Sequence, residues 1–175
     1  GISNVKTAIK RLIDDAYVLY VGNAYPHKNL ETLLQAMRRV NKKLVLVGTD
    51  DIFYKRLKAE TSEKNIIFFG PANDTQLASL YTYADALVFP SFMEGFGLPA
   101  LEALSYGTPV AVSDIPVFHE ILGIYATYFD PNSPESIAKV LQTIQRKSVP
   151  KSFFDKYSWR EMAAKTLKIY ECCIG

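Results

Sequence analysis

Cysteine and histidine are scarce in this chain of 175 residues, which contains two of each. The two cysteines, Cys172 and Cys173, are neighbours, and adjacent cysteines form at best a strained disulfide. We therefore expect two free thiols and a reducing compartment. His27 and His119 lie far apart in the sequence with no cluster of ligand residues around them. No metal site is expected.

An excess of charge of either sign is also lacking. The chain has 20 basic and 18 acidic residues, a net charge of +2, and only short basic groups such as Lys42-Lys43. Because binding to a nucleic-acid backbone needs many cations on one face, we expect no nucleic-acid partner. No apolar run reaches the length of a membrane span, and no signal-peptide pattern is present. We expect a cytoplasmic protein.

The size and composition indicate one globular domain. At 19.7 kDa the chain can bury about 70% of its unfolded surface, which supports a core without disulfides or metals. Apolar residues at helical spacing over 3–14 predict that residues 1–15 form a leading helix or an inter-domain linker. A C-terminal helix is predicted over residues 157–174.

Six short apolar runs alternate with helical patterns along the chain. The predicted strands are residues 17–22, 43–48, 66–70, 84–90, 108–113 and 126–129. The predicted helices are residues 28–40, 51–62, 74–83 (capped by Asp74), 98–107, 115–122 and 133–146, with a turn-rich connection over 147–156. Continuous apolar strands separated by helices are typical of parallel strands buried on both faces. The sequence therefore predicts an α/β fold, with a Rossmann-like open parallel sheet of about six strands covered by helices on both faces.

In such sheets the ligand binds at the carboxyl ends of the strands, near the point where the strand order reverses. The loop after the first strand reads N-A-Y-P-H-K-N and places Lys28 in the first turn of the next helix. A cation gains nothing from the helix dipole there, so its position indicates an anion to bind. The alternative is a solvated lysine.

A second loop of interest reads S-F-M-E-G-F-G-L-P-A-L-E, from Ser91 to Glu102. Its glycines let the backbone approach a ligand, and the following helix N-terminus can offer N–H groups to a phosphate. A plain strand-to-helix turn is the alternative. Carboxylates repel phosphate but accept hydrogen bonds from hydroxyls, so Glu94 and Glu102 would each bind a sugar on either side of a diphosphate. Alternatively, Glu102 complements the helix dipole and Glu94 is a solvated loop acid.

From Tyr17 to Tyr170 the chain resembles the C-terminal, donor-binding domain of the family 4 glycosyltransferases, which have the two-domain GT-B fold. The resemblance rests on E-G-F-G-L-P-A-L-E, preceded by A-D-A-L-V-F-P-S and followed by E-A-L-S-Y-G-T-P-V-A-V-S. Further support comes from Y-V-G with H-K-N, from F-F-G with L-A-S-L-Y, and from Y-S-W-R-E. It implies a retaining transferase of polysaccharide or glycolipid assembly that binds a nucleotide sugar and needs no metal or other cofactor.

The resemblance also implies a role for each matching residue. Glu102 would bind the ribose, and Glu94 would be the catalytic residue that contacts and orients the donor sugar. The diphosphate would be held by Lys28 and by the backbone of Gly95, Phe96, Gly97 and Leu98. The base would meet the backbone of Phe69, Gly70 and Pro71. The cation and the helix dipole would stabilise the leaving diphosphate.

One position departs from the family pattern. Many members carry Arg where this chain has Asn23, five residues before Lys28. Asn23 can donate hydrogen bonds but has no charge, so either another group supplies the charge or phosphate is bound more weakly. The surrounding G-N-A-Y-P-H-K-N is similar to bacterial mannosyltransferase-like members, which favours GDP-mannose over a UDP-sugar.

We expect this sequence to lack the N-terminal acceptor domain of such enzymes. We therefore expect this chain to bind its donor but to be inactive alone, with any attachment to the inner face of the membrane made by the missing domain. The last helix, with Trp159, Leu167 and Tyr170, would expose an apolar patch and favour weak self-association. One alternative function is that of a sugar-nucleotide epimerase or a phosphorylase of the same fold, which the motif E-G-F-G-L-P disfavours. The other, left open by Asn23, is a non-catalytic nucleotide-sugar-binding module or a subunit of a two-chain transferase.

Overall fold

The computed structural model describes residues 9–174, apart from the side chains of Trp159 and Ile174. Its strands are Tyr17–Val21 (β1), Lys43–Val47 (β2), Ile66–Gly70 (β3), Ala86–Phe89 (β4), Val110–Ser113 (β5) and Ala126–Phe129 (β6). They form one parallel sheet in the order β3-β2-β1-β4-β5-β6. Every predicted strand is present with ends within two residues of those expected, which confirms the predicted fold class.

Helices cover both faces of the sheet. They are Leu30–Met37 (α1), Ile52–Glu60 (α2), Asp74–Tyr83 (α3), Leu98–Ser105 (α4), Pro116–Leu122 (α5), Pro134–Thr143 (α6), Lys151–Asp155 (α7) and Trp159–Ile174 (α8). Alternate residues of a strand point to opposite faces. Val18 and Tyr20 of β1 pack with α1, α2 and α6, whereas Tyr17 and Leu19 pack with α3, α4 and α5. The strands are therefore mostly apolar along their length because both faces are buried.

The predicted leading helix is wrong over residues 9–14, which are irregular. The Ile9 carbonyl accepts a hydrogen bond from the Tyr83 hydroxyl, and the Lys10 carbonyl accepts one from Ser79 Oγ. Side chains of α3 thus bind backbone carbonyls that a helix would use internally. Ile9 and Leu12, which supplied the helical spacing, are exposed. Residues 3–8 of that prediction lie outside the described residues, and the assignment of residues 1–15 to a linker stays a prediction.

Two further helical predictions need correction. The connection over residues 147–156 contains α7, because Phe153 is buried in the core and holds this short helix against it. The cap of α3 is Asn73 rather than Asp74. Asn73 Oδ1 accepts from the Gln76 N–H at 2.9 Å, and Gln76 Oε1 accepts from the Asn73 N–H at 2.9 Å, which is a capping box.

The last helix, α8, is exposed along residues 160–173. Its large apolar side chains Met162, Leu167 and Tyr170 are all more than half exposed. Cys172 and Cys173 lie on it as free, exposed thiols. Over residues 9–174, no helix is both long enough and apolar enough to cross a membrane.

Candidate functional site

The crevice of the sheet lies between β1 and β4. These strands are neighbours, but the chain leaves β1 toward β2 and leaves β4 toward β5, on opposite sides. The loops after β1 and β4 therefore diverge and leave a crevice at the carboxyl ends of the strands. The Phe92 N–H donates to the His27 carbonyl at 2.9 Å and joins the two loops. The structure thus places the two loops with the strongest sequence signals side by side.

Asn29 holds these loops in place. It is buried and has a φ of 57°, the only positive φ at a non-glycine among the described residues. Its Nδ2 donates to the carbonyls of Pro90 at 2.9 Å and Pro131 at 2.8 Å, and its Oδ1 accepts from Thr32 Oγ1 at 2.6 Å. One side chain therefore connects the loops that follow β1, β4 and β6. Sequence reasoning missed Asn29, and its place directly after Lys28 was the only local signal.

Lys28 forms an ion pair at the centre of the crevice. It ends a 3-10 turn, Pro26–Lys28, and the left-handed Asn29 separates it from α1, so the prediction that it lies in the first turn of that helix is wrong. Its Nζ lies 2.7 Å from Glu94 Oε1, and the side chains of Lys28 and Glu94 are only 14% and 8% exposed. This burial contradicts the alternatives of a solvated lysine and a solvated acid.

Ser91 completes this cluster. Its Oγ donates to the same Glu94 oxygen at 2.7 Å, and Ser91 is itself fully buried. Glu94 Oε1 therefore accepts two hydrogen bonds that fix the direction of its carboxylate. The sequence analysis did not assign Ser91 a role, although its position three residues before Glu94 placed it within reach.

The segment Gly95-Phe96-Gly97, which we call the glycine turn, requires glycine at only one of its two glycine positions. Gly97 has a φ of 84°, and a Cβ there would lie 2.8 Å from Phe118 Cε1. A Cβ on Gly95 would meet no atom within 4 Å. The N–H groups of Phe96, Gly97 and Leu98 donate to no acceptor within residues 9–174. Since α4 begins at Leu98, these N–H groups lie at the positive end of a helix dipole.

Glu102 lies one turn inside α4. Its Oε2 accepts from the Tyr81 hydroxyl at 2.8 Å, while the residue remains exposed. Burial, and secondarily the charge of Glu102, raise the pKa of Tyr81, so its hydroxyl stays protonated and donates. Glu102 is not in the first turn of α4, which argues against the alternative that it merely complements the helix dipole. Sequence reasoning missed Tyr81, because nothing local links it to a residue 21 positions away.

The remaining predicted contacts lie around the crevice. The backbone carbonyl of Asn23 accepts a hydrogen bond from the Tyr20 hydroxyl at 2.6 Å. The side-chain Oδ1 of Asn23 accepts one from the Tyr25 N–H at 3.4 Å. Phe69, Gly70 and Pro71 lie at the end of β3, the edge strand, which β2 separates from β1. They are therefore at the rim of the site.

A cavity of about 420 Å³ lies beside the glycine turn, with Phe96 and Leu98 on one side and Tyr157 and Met162 on the other. Residues 9–174 contain no cluster of three or more metal-ligand side chains. The expected independence of metals stays a prediction.

The chain is thus an α/β protein with an open, doubly wound sheet and a polar site at its switch point. Within that class it belongs to the family of glycosyl transferases group 1, whose model matches residues 5–169. It is 37% identical over 158 residues to O-antigen chain mannosyltransferase B of Escherichia coli, covering 84% of this chain and 39% of that protein. Its identity to the O-antigen chain mannosyltransferase RfbU of Salmonella typhimurium is 33% over 165 residues, covering 88% and 45%. The chain therefore spans less than half the length of these curated relatives.

Solved structures share the same fold. Sucrose-phosphate synthase from Thermosynechococcus elongatus matches with a TM-score of 0.71 and 22% identity, over 92% of this chain and 46% of that one. Anabaena HepE, solved with UDP-glucose, matches with a TM-score of 0.66 and 20% identity, over 74% of this chain and 39% of that one. At these identities the likeness concerns the fold alone.

Proposed function

We propose that this chain is the C-terminal, nucleotide-sugar-binding domain of a retaining family 4 glycosyltransferase with the GT-B fold, acting in polysaccharide or glycolipid assembly. The observation that carries the proposal is the convergence of Lys28, Glu94 and the free N–H groups of the glycine turn at the switch point. The relatives named as mannosyltransferases support hexosyl transfer as the activity of the whole enzyme.

The diphosphate of the donor lies against the glycine turn. The N–H groups of Phe96, Gly97 and Leu98 and the dipole of α4 favour an anion there. Lys28 exchanges its carboxylate partner for a phosphate oxygen when the donor binds. Ser91 continues to donate to Glu94 after that exchange, so the carboxylate is not left without a partner.

The two carboxylates contact the sugars on either side of the diphosphate. Glu94, released by Lys28, accepts hydrogen bonds from hydroxyls of the transferred sugar and orients it. Glu102 binds the ribose through the carboxylate oxygen that Tyr81 does not occupy. Ionised carboxylates only accept hydrogen bonds, which suits hydroxyl groups and excludes direct contact with phosphate.

The donor is GDP-mannose rather than a UDP-sugar, it binds without a metal ion, and its base meets the backbone of Phe69, Gly70 and Pro71. The names of the two relatives support mannose, and the sequence around Asn23 favours the same sugar. The complex of HepE with UDP-glucose supports a nucleotide sugar as the ligand of this fold.

A thermal-shift panel tests the proposal. It compares GDP, UDP, ADP, GDP-mannose and UDP-glucose at millimolar concentrations, each with and without EDTA. A ligand at 100 times its dissociation constant stabilises the folded protein by about 2.7 kcal/mol, and GDP-mannose is expected to give the largest shift. If no nucleotide raises the midpoint, the proposed function is wrong. A shift abolished by EDTA would contradict binding without a metal.

A second candidate is a non-catalytic nucleotide-sugar-binding module or a subunit of a two-chain transferase. It is favoured by Asn23, which leaves the phosphate side without the charge that arginine would supply. Both candidates predict donor binding by this chain and no transfer by it alone. A transfer assay separates them. Transfer of mannose by a single chain that carries an acceptor half supports the enzyme, transfer only on mixing with a separate acceptor chain indicates the two-chain transferase, and no transfer in either case indicates the non-catalytic module.

A further inference from the structure

Tyr157, in the connection between α7 and α8, touches the centre of the glycine turn. Its ring lies edge to face with Phe96, with centroids 5.7 Å apart and an interplanar angle of 83°. Its hydroxyl donates to the Ile121 carbonyl of α5 at 2.7 Å. The ring that contacts Phe96 is therefore held at its far end by a hydrogen bond to the protein core.

The position of Tyr157 is also fixed by its neighbours. Its ring lies 5.6 Å from that of the buried Phe153, and Lys156 Nζ lies 4.5 Å from its centroid. Phe153 in turn contacts Tyr125, with centroids 4.6 Å apart. The rings of Tyr125, Phe153 and Tyr157 thus form a row that leads from the core to Phe96. Tyr157 is the member of this row that contacts Phe96, and its own position is fixed.

The glycine turn has few other restraints. Gly95 is exposed, a Cβ built on it would meet no atom within 4 Å, and Phe96 itself is 39% exposed. Gly97 packs closely on Phe118, also from α5. Because glycines leave the backbone many conformations, the direction of the N–H groups between them depends on what holds Phe96.

We infer that Tyr157 is a positioning residue, which holds Phe96 so that the N–H groups of Phe96, Gly97 and Leu98 converge on one diphosphate. This inference rests on the proposed function and extends it to a residue more than fifty positions away in the sequence. Tyr157 acts through its contact with Phe96. It lowers the conformational freedom that the turn would otherwise lose on binding.

The test measures diphosphate and monophosphate affinities by calorimetry, with GDP and GMP and with UDP and UMP in parallel. Tyr157→Leu removes the ring and is expected to lose about tenfold in diphosphate affinity, because misaligned N–H groups forfeit a charge-assisted hydrogen bond. The monophosphates, which lack the second phosphate, are expected to change by less than about threefold. Tyr157→Phe keeps the ring contact and is expected to retain diphosphate affinity within about threefold.

Tyr170→Leu is the matched control, because it makes the same change at an exposed position on α8. It is expected to leave both affinities unchanged. Diphosphate affinity unchanged in Tyr157→Leu, or equal losses for mono- and diphosphates, would overturn the inference. Circular dichroism at the temperature of the titration shows that each variant is folded.

A ligand-free measurement separates this inference from the proposed function. The amide NMR resonances of Gly95 and Gly97 are expected to be single and sharp in the parent protein and in Tyr157→Phe, and broadened in Tyr157→Leu. Unperturbed resonances in Tyr157→Leu would overturn the ordering role. If the parent protein binds no nucleotide, the proposed function fails and the diphosphate role fails with it, while the resonances still decide whether Tyr157 orders the turn.

Discussion

The ammonium group of Lys28 lies 2.7 Å from the carboxylate of Glu94, across the crevice between the loops that follow β1 and β4. The two charged side chains that we propose contact the sugar donor therefore pair with each other in this structure. Both side chains are largely buried, so neither is solvated when its partner is removed. We therefore expect the pair to contribute to stability as well as to the proposed binding of the donor.

Lys28→Met is expected to lower the free energy of unfolding by about 3 kcal/mol, because it leaves a buried carboxylate without its counter-ion. Glu94→Gln together with Lys28→Met is expected to recover part of that loss. Urea denaturation of the two single variants and the double variant measures the coupling. Additive effects of the two changes would show that the ion pair contributes nothing to stability.

Glu102→Ala is expected to weaken binding of a bare nucleoside diphosphate by about 2 kcal/mol, because the ribose loses a charged acceptor. Glu94→Ala is expected to reduce mainly the additional affinity that the sugar provides. Calorimetry with GDP and GDP-mannose separates the two effects, and the exposed Glu120→Ala serves as the control. Equal losses for bare GDP would contradict the assigned roles. Glu102→Gln preserves the acceptor for the buried Tyr81 hydroxyl and so separates binding from stability.

Gly97→Ala is expected to lower the free energy of unfolding by roughly 2 to 4 kcal/mol, from the cost of a left-handed backbone and from the clash with Phe118. Gly95→Ala is the matched control in the same turn. A Cβ there meets no atom within 4 Å, so stability is expected to stay within about 0.5 kcal/mol. Thermal and urea unfolding compare the two variants. Similar losses in the free energy of unfolding at both positions would contradict the conclusion that only Gly97 must be glycine.

Stability is expected to fall as the pH rises from 10 to 12. Burial, and secondarily Asp85, raise the pKa of Tyr17 to about 12, against the opposing effect of Arg11. In this pH range an unfolded chain has lost the Tyr17 proton while the folded chain keeps it, so Tyr17 alone lowers stability by up to about 1.4 kcal/mol per pH unit. Urea unfolding of Tyr17→Phe is expected to show a shallower slope. Slopes that match the parent protein would contradict this account.

The exposed apolar side chains of α8 are expected to cause weak self-association. Met162, Leu167 and Tyr170 are exposed by 53%, 57% and 61%. Sedimentation velocity is expected to show a sedimentation coefficient that rises with protein concentration, and Leu167→Lys is expected to abolish the rise. Thr166→Lys adds the same charge at a neighbouring position and should leave the rise in place. A coefficient independent of concentration in the parent protein would disprove the association.

Much of the fold could be predicted because its signals are local. Largely continuous apolar runs marked all six strands, since a strand covered on both faces carries apolar side chains toward both of them. Pro99 and the preceding glycines marked the start of α4. The leading segment and α7 could not be predicted correctly. Residues 9–14 have helical spacing but bind α3 through their carbonyls, and α7 depends on the burial of a single residue, Phe153.

The sequence by itself determined which residues would sit on ligand-facing loops, because each loop follows a recognisable strand. Only the tertiary structure decided which of those residues meet. Lys28 and Glu94 are 66 positions apart, and their pairing depends on β1 and β4 being neighbours in the sheet. Asn29 reaches Pro131 across 102 positions, and Tyr157 reaches Phe96 across about sixty. Strand order and helix packing are set by long-range burial, which no local pattern of residues encodes.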